Sequence, residues 1–143
     1  MERLLVLTLL VIPSCSRSDS KQAQDKLQGT WVAVSMENTQ KKFTDEELKQ
    51  KPFKLTFTGN SITLEWGTDK PAKGQFTIDP GKTPKTMDFT LGTPGMDTLD
   101  YKAIYELTEG QLTLCQGGIG APRPAEFTGK SGRGTLIVLK KER

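Results

Sequence analysis

The sequence predicts an all-β protein, an eight-stranded antiparallel barrel of lipocalin-like form with one short helix between strands 1 and 2. Three observations predict it. Eight short segments alternate apolar and polar residues with a period of two, as half-buried strands do. The breaks between most of them are short and carry Gly, Pro, Asn or Asp, which favours hairpins in an antiparallel meander. Only 34% of the chain is hydrophobic, too little for the broad stripes of a helical bundle. It is enough for a small barrel, which needs every second residue inward. Closure also removes the sheet edges, so strand 8 is expected to pair with strand 1.

The chain opens with "MERLLVLTLLVIPSC", in which Arg3 precedes the apolar run Leu4–Ile12 and Ser14 precedes Cys15. The run is too short to span about 30 Å of hydrocarbon as a helix, and it fits the apolar core of a secretory signal. Ser14-Cys15 after such a run resembles a bacterial lipoprotein signal. That resemblance implies removal of residues 1–14 and lipidation of Cys15. Residues 16–26, "SRSDSKQAQDK", are polar and read as a tether. Its end is expected to curl into a short helix, with Ala23 and Leu27 on one face and Gly29 to stop it.

The barrel domain is expected over 27–143. Strand 1 is expected over about Thr30–Glu37. "FTDEELKQKP" then carries a helix start: Thr44 as N-cap, Glu47 completing a capping box, Phe43 and Leu48 as staple, and Pro52 ending the turn. "FKLTFT" aligns Phe53, Leu55 and Phe57, and Gly59-Asn60 turns the chain into "SITLEW", which aligns Ile62, Leu64 and Trp66. "GQFTID", "KTMDFTL", "LDYKAIYEL" and "QLTLC" follow with loops between them. A Gly- and Pro-rich loop, "QGGIGAPRPAEFTGKSGRG", precedes the last strand, "TLIVLK".

Most chemical signals are negative. The formal charge is only +3 and the bases are dispersed, unlike the clustered bases and interleaved aromatics of a nucleic-acid binder; no nucleic-acid partner is expected. The chain has no histidine and two cysteines. Lipidation takes Cys15, leaving Cys115 without a disulfide partner, and a buried thiol acting as a small hydrophobe is the plain reading. No metal, cofactor or catalytic residue is expected. "TGKSG" ends like a phosphate loop, but Pro124 occupies a required glycine position and no helix follows. No carboxylate pair can be nominated for an enzyme.

"LQGTW" opening the first strand, "DEELK" before "KLTFTGNSITL", "IYELTEGQLTLC" as a late hairpin and "RPAEF" after it occur in an order that resembles a family of small uncharacterised domains abundant in planctomycete bacteria. The resemblance covers about residues 26–141 and implies a lipocalin-like fold with no common activity. It also implies roles for the G-x-W at the head of strand 1. Gly29 turns the backbone into the barrel floor, and Trp31 closes that end. An arginine from late in the chain stacks on the indole, with Arg123 the first candidate and Arg133 the second.

The expected function is a membrane-anchored, non-enzymatic binding module of the bacterial cell envelope. It is expected to face the periplasm or the exterior and to be a monomer. In one form the barrel holds a small apolar or amphipathic ligand, lined by Phe57, Leu64, Phe76, Phe89, Tyr105 and Leu114. Entry is then expected at the end opposite Trp31, with the short helix as lid. In the alternative the interior is packed and the protein is an interaction or inhibitor-like module acting through its loops. Eight strands accommodate either interior, and the large aromatics favour a filled one or a small cavity.

Overall fold

Alternating inward residues become continuous strands here because every strand finds a neighbour. The computed structural model describes residues 16–130 and 134–143, with side chains from residue 20 onward. The expected signal segment, Cys15 and Arg133 therefore lie outside the described residues. The elements are α1 (Ser16–Leu27), β1 (Gly29–Asn38), α2 (Asp45–Gln50), β2 (Phe53–Thr58), β3 (Ser61–Trp66), β4 (Ala72–Asp79), β5 (Lys85–Leu91), β6 (Leu99–Thr108), β7 (Gln111–Gln116) and β8 (Thr135–Lys141). The strands follow sequence order around a closed antiparallel barrel. β1 closes it against β8, with Trp31 opposite Lys141 and Asn38 opposite Thr135.

This order defines two ends. The floor holds the start of β1, the turn 59–60, the loop 80–84, the turn 109–110 and the end of β8. The rim holds segments 39–52, 67–71, 92–98 and 117–130. Inward side chains fill the space between as one contiguous apolar cluster running from Leu27 and Trp31 through Phe57, Met87 and Leu114 to Leu139.

The rim is plugged by α2. Thr44 Oγ1 accepts the Glu47 backbone N–H at 3.2 Å, as the capping pattern predicts. The Glu47 carboxylate pairs with Lys41 at 3.0 Å. Leu48 is buried. Phe43 and Phe53 both meet Trp66 edge-on, with ring centroids 5.9 and 5.6 Å away.

The segment read as a tether is helical throughout Ser16–Leu27. Its only long apolar side chain, Leu27, is wholly enclosed by the barrel. The Gln24 and Gln28 side-chain amides donate to Gly59 O at 2.7 and 3.0 Å, and Gly59 N–H donates back to Gln28 Oε1 at 2.6 Å. Tertiary contacts hold this helix across the floor, and they have no periodic signature in a polar sequence.

The described part of the long β7–β8 loop, 117–130, lies on the outside of the barrel. Alternation points Ile104 and Cys115 outward, since Tyr105 and Leu114 point inward, yet both are buried. They are cross-strand partners. The loop covers them: the Cys115 thiol donates to Thr128 O at 3.4 Å, and Gly129 packs so closely on Glu37 that a Cβ there would sit 2.4 Å from its carbonyl oxygen.

Candidate functional site

The site lies at the floor. Gly29 adopts φ +110°, a conformation that L side chains rarely take, and this bend carries the chain from α1 into β1. Trp31 then points inward and is buried. Its indole N–H donates to Leu27 O at 2.8 Å, tying the end of α1 to the barrel.

Arg123, the first candidate, is not at this ring. Lys141 Nζ stands 5.8 Å from the Trp31 ring centroid. Arg123 is on the outer surface, where Nη1 donates to Ala103 O at 2.7 Å and Met87 O at 3.4 Å, and Nη2 pairs with Asp88 at 2.6 Å. The reason is topological. Arg123 belongs to a rim loop, Trp31 to the floor, and a six-residue strand such as β7 separates the ends by about 20 Å. Lys141 closes β8 directly opposite Trp31.

The six residues expected to line a ligand cavity all turn inward, but they fill the bore. Phe57, Phe76, Phe89, Tyr105 and Leu114 are buried members of the core, and Leu64 packs against it. Phe57 and Phe76 meet edge-on at 4.9 Å. Two clefts among the described residues lie beside α1. A cleft of about 890 Å³ separates α1 from the barrel floor, bordered by Lys26 and Ala23 of α1, Asp79 and Lys85 at the β4–β5 loop, Tyr105, Leu107 and Glu109 of the β6–β7 hairpin, and Lys141. A second cleft, about 570 Å³, runs from Ser20 and Gln24 along β4, β5 and β6 and touches Phe76 and Phe89. The larger cleft is at the same end as Trp31, whereas entry was expected at the other. The α2 plug at the rim accounts for the difference.

Tyr105 is the unusual member. The residue is 2% exposed, and its hydroxyl has no hydrogen-bond partner among the described residues. A buried, unpaired hydroxyl costs about 1–3 kcal/mol. Burial first, and the nearby Asp79 carboxylate second, push its pKa up to about 12. It is therefore a protonated donor at neutral pH. Asp79 is itself engaged, with Oδ1 accepting the Gly81 N–H at 3.1 Å.

Sequence reasoning placed Tyr105 inward but could not see that its hydroxyl lacks an acceptor. It missed Lys26, Lys85 and Lys141 altogether, because they are far apart in the chain and only the strand order gathers them. The arrangement can bind and orient a polar group beside an apolar wall. No family model matches the chain, and no curated protein is similar to it.

Proposed function

We propose that the protein is a non-enzymatic binding module of the bacterial cell envelope, anchored by lipid on Cys15, which holds a small amphipathic ligand between α1 and the barrel floor. The observation that carries this reading is the contrast between a packed core and an open cleft bordered by Tyr105, whose buried hydroxyl is unpartnered. Apolar area on Ala23, Leu107 and the lysine stems contributes at about 25 cal/mol per Å² covered. α1 begins directly after Cys15, so an anchor there keeps the cleft close to lipid. Among the described residues no helix is long and apolar enough to cross a membrane.

Two measurements test it. Metabolic labelling with a fatty acid is expected to mark the wild type and not Cys15→Ala; equal label in both removes the anchor. Displacement of an environment-sensitive apolar dye from the full chain by amphiphiles is expected to saturate below about millimolar. A flat titration with every amphiphile, charged or neutral, removes the cleft as a ligand site.

A second reading, docking of a protein partner at the rim, is favoured by Met96 and Ile119, which are 75% and 55% exposed in neighbouring connections. In that case Met96→Asp and Ile119→Asp abolish partner capture while amphiphile titrations stay flat.

A further inference from the structure

Resting on the reading of the cleft as a ligand site, we infer that it selects a singly charged anionic head, an oxyanion that accepts the Tyr105 hydroxyl and is flanked by Lys26, Lys85 and Lys141. Tyr105 borders the cleft, and its hydroxyl is enclosed and unpaired, so a small shift of the side chains covering it presents a directional donor that no other group among the described residues satisfies. Burial keeps it protonated, with its pKa pushed up to about 12. A ligand that only donates hydrogen bonds leaves it unpaired; one with an acceptor oxygen satisfies it.

The charges around the cleft set the sign and the size of the head. Among the described residues the four ion pairs engage Lys41, Lys51, Lys54 and Arg123. Lys26, Lys85 and Lys141 are in none of them. Asp79 and Glu109 border the same cleft. Three ammonium groups against two carboxylates leave one positive charge. That matches a carboxylate or a phosphodiester and not a polyanion, which the two carboxylates repel. The lysines are exposed, so each contributes little alone; the selectivity comes from the buried donor together with their shared field. A carboxylate-headed chain, a phosphodiester-headed lipid and a free monovalent phosphate all carry this chemistry.

The test uses the full lipidated chain in nonionic micelles, titrated by dye displacement with dodecanoate, lysophosphatidylglycerol, inorganic phosphate and the neutral 1-dodecanol. Dodecanoate and lysophosphatidylglycerol are expected to bind at least about tenfold tighter than dodecanol, the scale of one charge-assisted hydrogen bond. Tyr105→Phe, with its fold checked by circular dichroism, is expected to weaken the two anionic amphiphiles more than dodecanol, whose neutral hydroxyl oxygen is the poorer acceptor, and so to remove most of that preference. Lys85→Gln with Lys141→Gln lowers it in the same sense. Competition by inorganic phosphate alone assigns recognition to the head; its failure beside tight lysolipid binding assigns it to head and chain together, and both outcomes support the inference. Equal affinity for dodecanol and dodecanoate, or an undiminished preference in Tyr105→Phe, overturns it while the cleft stands as an amphiphile site. Saturation by none of the probes removes both.

Discussion

Arg123 ties the long rim loop to two strands at once, through Ala103 O and Met87 O on the backbone and Asp88 on the side chain. Its planar fork reaches several acceptors that a lysine, a compact point charge, cannot match together. Arg123→Ala is expected to cost about 1–2 kcal/mol in urea denaturation, and Arg123→Lys most of that. A loss below about 0.5 kcal/mol in both would make the contacts incidental. Its end of the barrel was legible in the strand order, since seven antiparallel strands carry the β7–β8 loop to the end opposite the start of β1; its acceptors on β5 and β6 were not, because nothing in "RPAEF" names them. Tyr105 gives a second expectation at this scale. A tyrosine in the unfolded chain ionises near pH 10, and in the fold this one ionises near 12. Between the two only the unfolded chain releases the proton. The stability it contributes is therefore complete below pH 10 and is lost as pH rises through about 12. Ultraviolet titration is expected to show a late tyrosinate step that Tyr105→Phe deletes; a step at the ordinary value would mean an open hydroxyl.

Elements divide into those whose stability is periodic and those held by single contacts. α2 was legible because a cap is a local feature: Thr44 caps the helix and Leu48 is buried, while the Glu47 carboxylate turns to Lys41 instead of closing a capping box. α1 was legible only at its end, where Ala23 and Leu27 share a face. The rest depends on two glutamines clasping Gly59, and amides facing a turn leave no stripe to read. The loop segment 117–130 is similar, since its cover over Ile104 and Cys115 rests on Gly129 meeting the Glu37 backbone. Gly129→Ala cannot fit without displacement and is expected to destabilise by about 1–3 kcal/mol. Cys115 reports the same event. Burial raises its pKa, and the covered thiol is expected to resist maleimide in the native protein. In Gly129→Ala it is expected to react markedly faster. Unchanged reactivity would show that the loop does not control access.

At the scale of the whole molecule, the strand order was almost wholly legible, because each hairpin is local and closure follows once strand 8 must cover the free edge of strand 1. Whether the bore was open or filled was not. Alternation says that Phe57, Phe76 and Phe89 point inward but not whether they touch, and the contact between Phe57 and Phe76 decides it. A filled bore makes the strands one cooperative unit. Phe57→Ala is expected to cost about 3–5 kcal/mol and to lower a single denaturation transition seen equally by far- and near-ultraviolet circular dichroism. Two separated transitions would contradict a shared core.

The two tryptophans stand at opposite ends of this core. Trp31 is enclosed at the floor, and Trp66 is partly open at the rim with Lys51 Nζ 5.0 Å from its ring centroid. The fold thereby carries two separate lamps. Emission from Trp31 falls toward the blue and is shielded from acrylamide; emission from Trp66 falls toward the red and is quenched by it. Replacing either one with phenylalanine leaves a fluorophore that watches a single end. Events beneath α1 and events beneath α2 can then be timed separately in the same protein without an added dye.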